Sequence, residues 1–180
     1  YGNQTAGILS ETTTPNPAND YAVSKLAMEY MAKLWMDRLP TTLTRPFNYT
    51  GVSQKPFILV PKIVQHCREK QATIELGNLN VGRDFSDVRD VAAVYATLAE
   101  HPIAGEVLNI CSGQCHQLND VVAMAQSISQ HTLKVQVDQS LVRDNEVKEL
   151  RGDITKLAQL MGDQPRHDLS STLQWMLSDQ

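Results

Sequence analysis

The chain has no excess of positive charge, no long apolar run and few cysteines, and each shortage removes a class of function. Its 180 residues carry a formal net charge of −4. No basic surface therefore marks a nucleic-acid binder, although a local arginine cluster could still hold a phosphate. No apolar run approaches the roughly 20 residues that cross a bilayer. No secretory leader is legible either, so a cytoplasmic location without a membrane partner is expected. Three cysteines, Cys67, Cys111 and Cys115, form no disulfide framework and suit reduced thiols. Cys111, Cys115 and His116 lie close together, but no second ligand pair follows at zinc-site spacing. They read as buried or incidental thiols, and no metal is expected. Also missing is any Gly-x-x-Gly-x-x-Gly run, so the phosphate-cradling turn of a dinucleotide fold is not in these residues. The chain opens at Tyr1-Gly2 without a methionine, which reads as entry into the middle of a domain.

What is present is an ordinary globular composition, 42% apolar and 20% charged, for one domain or a large piece of one. Residues 1–19, rich in Thr, Pro and Asn, read as a loop. Asp20 is a plausible N-cap for a helix with apolar residues at Val23, Leu26, Tyr30, Met31, Leu34 and Trp35, stopped by Pro40. The stretch 41–45 reads as a strand and 47–55 as a loop. Leu59, Ile63, Val64 and Cys67 mark a second helix, followed by a strand over 73–76 and an extended piece over 85–88. Further helices are signalled by Val91, Val94 and Leu98, by Leu118, Val121, Val122 and Ala125, and by Leu169, Leu173 and Met176. Strands are expected at 107–110 and 133–137. The stretch 143–151 looks charged and irregular. Asp153 should cap a short helix that Gly162 ends. Alternating strands and helices mean an α/β protein.

One pair carries chemistry. Tyr21 and Lys25 stand four apart at the head of the first helix, which puts both side chains on one face, one turn apart. An ammonium beside a phenol favours the phenolate, so such a pair can exchange protons near neutral pH. Alone the spacing also fits an ordinary surface pair. Arg83 and Arg143 could hold phosphate oxygens through paired hydrogen bonds. Arg83 could instead pair with Asp84 or Asp87, the less favoured reading, and Arg143 could be a solvated loop charge. Asp84, Asp87 and Asp90 resemble a metal cluster at first sight, but their neighbours suggest a helix N-cap and internal ion pairs.

Taken in order, the motifs are more specific. Tyr21-x-x-x-Lys25 is followed by Arg45-Pro46-Phe47-Asn48, then by Gly77-Asn78-Leu79 and Arg83-Asp84-Phe85-Ser86-Asp87-Val88-Arg89-Asp90-Val91. Asn109-Ile110-x-Ser112-Gly113, Arg143-x-x-Glu146-Val147 and Gly152-Asp153-x-x-Lys156 complete the series. This series resembles the C-terminal part of an extended short-chain dehydrogenase/reductase acting on nucleotide sugars. Within that group, Arg45-Pro46-Phe47-Asn48-x-Thr50-Gly51-x-x-Gln54 is most similar to the GDP-6-deoxy-mannose (GDP-4-keto-6-deoxy-mannose) reductases.

The resemblance implies a Rossmann-type fold with a smaller substrate-binding α/β domain. Residues 1–50 would end the dinucleotide-binding domain. Residues 51–180 would be mainly the substrate domain, with segments returning to the Rossmann sheet. It implies Tyr21 as catalytic acid/base and Lys25 as its partner and a ligand of the cofactor ribose. Pro46 and Phe47 would lie near the nicotinamide of NAD(P)H. Asn48, Val60, Pro61 and Lys62 would line the nucleotide-sugar pocket. Arg83 and Arg143 would bind the diphosphate and Glu146 a ribose. A helper Ser or Thr would lie just upstream of Tyr1. The resemblance further implies a homodimer through the helix starting near Asp20, although its apolar arc could instead pack within its own domain. A GDP-mannose 4,6-dehydratase, a nucleotide-sugar 4-epimerase and a non-catalytic binding or dimerisation fragment remain open as alternatives.

Overall fold

The computed structural model describes residues 1–2, 7–142, 147–162 and 166–179. Helix α1 (Asp20–Lys33) begins at Asn19, whose backbone is extended and whose side-chain oxygen receives the Ala22 N–H at 2.9 Å. The cap is therefore Asn19 rather than Asp20. Asp20 instead occupies the first turn, where its charge faces the helix dipole favourably, with Lys33 in the last turn. Helix α2 (Leu59–Arg68) carries Pro61 in its first turn, where a missing N–H costs nothing. Helix α3 (Val88–Glu100) is capped by Asp87, which accepts from Arg89 N at 2.8 Å. Helices α4 (Leu118–Ser129), α5 (Thr155–Met161) and α6 (Leu169–Ser178) complete the helical set among the described residues. The Asp153 carboxylate receives the Thr155 N–H at the entry to α5.

The strands are short. They are β1 (Ile8–Leu9), β2 (Leu43–Pro46), β3 (Asn48–Thr50), β4 (Thr73–Leu76), β5 (Gly82–Arg83), β6 (Phe85–Asp87), β7 (Val107–Ile110), β8 (His116–Gln117), β9 (Lys134–Val137) and β10 (Glu149–Gly152). Parallel pairs join β2 to β7, β3 to β6 and β4 to β9. A further sheet runs β1-β10-β5-β8, antiparallel only at β5–β8. Predominantly parallel pairing separated by helices is the α/β arrangement. The loops expected at 1–19 and 47–55 each contain a strand, and so does the stretch expected to be irregular, where β10 lies. Each of these strands has two to four residues and is made by a partner far away in sequence, such as Phe85 for Asn48. No local periodicity could announce them.

Apolar burial concentrates in two places. Helices α2, α4 and α6 pack Ile63, Val121 and Leu173 against β4. Across the molecule, α3 and α5 pack Val91, Val94 and Leu157 against Leu108 and Ile110 of β7. A small third cluster of Leu9, Phe47 and Cys111 lies elsewhere. Its backbone approach is tight: a Cβ on Gly152 would stand 2.4 Å from Cys111 Sγ, closer than any carbon can sit. Each fully buried aliphatic side chain contributes about 1.5–3 kcal/mol. Helix α1 gains nothing of this kind, because none of its residues is buried. Tyr30 and Met31 of α1, and Leu34 and Trp35 just beyond its end, are exposed, whereas Ala22 and Leu26 are partly covered. No described helix is long and apolar enough to cross a membrane.

Candidate functional site

Lys25 Nζ lies 5.4 Å from the centroid of the Tyr21 ring. One helical turn separates the two residues, so the helix itself enforces this proximity. Both line a cleft of about 660 Å³ between α1 and β2, together with Pro46, Phe47 and Asn48. A second hollow of about 650 Å³ is lined by Val60, Lys62, Arg83 and Leu118. Both are of the size that small-molecule sites take, roughly 300–1,000 Å³. Phe47, Asn48 and Tyr49 border both. These residues, spanning the junction of β2 and β3, form a shared wall. The cleft and the hollow are therefore neighbours.

Of the residues suggested by sequence, the structure gathers Tyr21, Lys25, Pro46 and Phe47 in the cleft, and Asn48, Val60, Lys62 and Arg83 around the hollow. Pro61 borders a separate hollow of about 160 Å³ beside Val64 and Arg68. Successive helix residues point about 100° apart, so neighbours on α2 need not share a cavity. Arg143 and Glu146 lie outside the described residues. Asn48 Nδ2 donates to the Asp84 carbonyl at 3.1 Å. Lys62 Nζ donates to the Glu75 carbonyl at 2.6 Å. Arg83 donates through one guanidinium nitrogen to the carbonyls of Gly82 and Val147.

The acidic triplet is structural in each of its members. Asp84 is fully buried and accepts from Ser112 N, Ser112 Oγ, Gly113 N and Gly152 N at 2.6–3.2 Å. Asp87 holds Arg89 through two charged hydrogen bonds and also receives Thr172 Oγ1 at 2.7 Å. Burial is the largest single effect and pushes its carboxyl up, but these bonds and the Arg89 charge together outweigh it and hold the carboxyl below the usual range. Asp90 pairs with His167 Nδ1 at 2.6 Å. No group of three His, Cys, Asp or Glu side chains is arranged to hold a metal among the described residues. Burial, followed by the nearby Asp84 charge, pushes the Cys111 thiol up to about 12. That keeps it protonated and inert.

Sequence reasoning missed two features. Glu29 lies one further turn along the Tyr21–Lys25 face and receives Arg45 Nε at 2.9 Å and Arg45 Nη2 at 2.6 Å. Those hydrogen bonds hold the Glu29 carboxyl down to about 2, against the opposing effect of burial. The spacing of Tyr21, Lys25 and Glu29 was the available signal. The Asp84 hub had none, because its partners are distant in sequence.

The family profile described as GDP-mannose 4,6 dehydratase matches residues 1–176. The GDP-6-deoxy-D-talose 4-dehydrogenase of Aggregatibacter actinomycetemcomitans is 35% identical over 92% of this chain and 56% of its own length. The GDP-6-deoxy-D-mannose reductase of Pseudomonas aeruginosa is 34% identical over 95% of this chain and 59% of its own length. The chain thus spans somewhat more than half the length of these relatives. Among solved structures, a candidate epimerase from Burkholderia cenocepacia J2315 superposes with TM-score 0.95 at 54% identity, covering 98% of this chain and 58% of that one. RMD from Pseudomonas aeruginosa, complexed with NADPH, superposes with TM-score 0.85 at 34% identity, covering 93% and 58%. The chain belongs to the GDP-mannose 4,6 dehydratase family of extended short-chain dehydrogenases/reductases.

Proposed function

We propose that this protein is a nucleotide-sugar oxidoreductase that reduces the C4 keto group of GDP-4-keto-6-deoxy-D-mannose. The observation that carries this reading is the shared wall. A proton-transfer pair faces one cleft, and a basic, partly apolar hollow opens on the other side of Phe47–Tyr49. Two relatives whose names place their chemistry on GDP-6-deoxy sugars support the substrate class. Residues 1–50 are assigned to the cofactor side and residues 51–180 mainly to the substrate side.

The cleft suits a nicotinamide riboside. Tyr21 and Lys25 offer polar donors to a ribose, while Pro46 and the buried Phe47 offer an apolar face to the ring. When bound, NAD(P)H supplies the hydride that adds to C4. Negative charge then builds on the C4 oxygen. The Tyr21 hydroxyl is the proton donor to that oxygen. The Lys25 ammonium stabilises the phenolate left behind, and within a cleft this attraction exceeds its value in bulk water. On the other side of the wall, the Lys62 ammonium and Arg83 guanidinium supply positive charge for the diphosphate. Val60 lies against the nucleoside, and Asn48 presents its side-chain oxygen at the boundary, where the sugar must pass.

The test is direct. Full-length protein should consume the absorbance of NADH or NADPH when given GDP-4-keto-6-deoxymannose. Proton NMR of the product then shows whether the C4 hydroxyl has the manno or the talo configuration, the two outcomes that the names of the relatives span. No consumption with either cofactor would end this reading, and conversion of GDP-mannose itself to a 4-keto sugar would replace it with a dehydratase.

Assembly belongs to the same proposal. The exposed Tyr30 and Met31 on α1, with Leu34 and Trp35 just beyond its end, give a second copy of the protein an apolar face to cover. Full-length protein should sediment as a dimer, and Met31→Asp combined with Leu34→Asp should yield monomer. A monomeric wild type sinks the idea.

A further inference from the structure

We infer that Glu29 and Arg45 are positioning residues, whose ion pair sets where helix α1 presents Tyr21 and Lys25 to the cleft. The inference rests on the reading of the site proposed above.

No residue of helix α1 belongs to the buried core. Among the described residues, the side-chain hydrogen bonds that join α1 to another element run from Arg45 to Glu29. They form a two-pronged fork, the geometry in which guanidinium and carboxylate planes define a direction as well as a distance. The two side chains are only 15% and 13% exposed, so solvent screens them less than an ordinary surface pair.

The strand end of the fork is itself held. Arg45 Nη1 donates to Tyr1 Oη at 3.0 Å and to the Glu11 carbonyl at 3.1 Å, and its guanidinium lies 4.9 Å from the Tyr1 ring centroid. The Tyr1 hydroxyl donates to Asn109 Oδ1. The fully buried Asn109 donates in turn to the Leu9 carbonyl at 2.8 Å. A continuous chain of polar contacts therefore leads from β1 and β7 through Arg45 to α1. Arg45 directly precedes Pro46 and Phe47, so the residue that anchors the helix belongs to the strand that walls the cleft.

Lever geometry gives the contact its leverage. Tyr21, Lys25 and Glu29 lie on one face and line the same cleft. Eight residues at 1.5 Å rise place Tyr21 about 12 Å along the axis from Glu29. A tilt of about 5° about that anchor moves the Tyr21 backbone by about 1 Å, and a misplacement of that size can cost about a hundredfold in rate. An ion pair that merely added stability would not act on the reaction in this selective way.

Glu29→Gln keeps the shape and removes the charge. Arg45→Lys keeps the charge and removes the fork. In cofactor-free full-length protein, hydrogen exchange of α1 peptides should be about tenfold faster in either variant, with peptides from α2 and α4 unchanged. In turnover, kcat should fall by about 30–100-fold. KM for the nucleotide sugar should stay within about twofold, because the hollow's walls lie on other elements. Wild-type exchange in α1 with kcat within threefold of wild type overturns the inference, as does faster exchange spread evenly through the chain. Tyr21→Phe serves as the reference. If it is inactive while Glu29→Gln turns over normally, the positioning role alone fails. A fully active Tyr21→Phe removes the reading of the site itself.

Discussion

Replacing Tyr21 with phenylalanine should lower kcat by about 10³-fold while leaving the fold intact. General acid–base catalysis by a placed side chain is worth about 10²–10⁴-fold, and 10³ corresponds to about 4 kcal/mol of transition-state stabilisation. The proton reaches the sugar oxygen only in the transition state. The loss should therefore fall on kcat, with KM for the nucleotide sugar little changed. Stability should be unaffected, because Tyr21 is 71% exposed and removing a solvated hydroxyl leaves no buried partner stranded. Steady-state kinetics beside a thermal melt separates the two effects. A rate within tenfold of wild type would rule out Tyr21 as the proton donor. An equal drop in melting temperature would turn the loss into a folding defect.

The second large effect concerns a residue far from the proton transfer. Asp84→Ala should destabilise the protein by about 3–5 kcal/mol, measured as a shift in denaturation midpoint at constant slope. The carboxylate is fully buried and accepts three backbone N–H groups and one hydroxyl. Truncation would leave those N–H groups buried without an acceptor, at about 1–3 kcal/mol each, reduced where water can enter the space. Asp84→Asn keeps one side-chain oxygen and should retain about half of the lost stability. Function should suffer as well. Asp84 follows Arg83 and precedes Phe85, both lining the hollow of about 650 Å³ proposed above for the nucleotide sugar, and its backbone carbonyl receives the Asn48 amide. KM for the nucleotide sugar should therefore rise in either variant. A midpoint within about 1 kcal/mol of wild type for Asp84→Ala would mean that the loops find other acceptors.

Legibility from sequence followed how local each interaction is. The helices were readable because burial leaves a period in the chain: Leu118, Val121, Val122 and Ala125 repeat at helical spacing and form the buried face of α4. The Asn19 cap was misplaced by one residue because Asn and Asp are both good caps and stand side by side. Strands β3, β5, β8 and β10 were not foreseen, since two to four residues leave no period and their pairing is supplied by distant segments. The choice between phosphate binding and a salt bridge for Arg83 likewise could not be made locally. Asp84 and Asp87, the carboxylates weighed as alternatives there, accept from backbone amides and from Arg89 and Thr172.

By itself the sequence determined that Tyr21 and Lys25 share one face of a helix, because the pitch of an α-helix leaves residues four apart no other arrangement. It also determined the ordered series of motifs that marks the family. Only the tertiary structure decided that Glu29 meets Arg45, that Asp84 gathers backbone amides from two distant segments, Ser112–Gly113 and Gly152 of β10, and that Phe47–Tyr49 border both cleft and hollow. Those contacts join residues from 16 to 68 positions apart. Side chains so far apart along a flexible chain are brought to bonding distance only by the packing of whole elements, and local propensity carries no record of it.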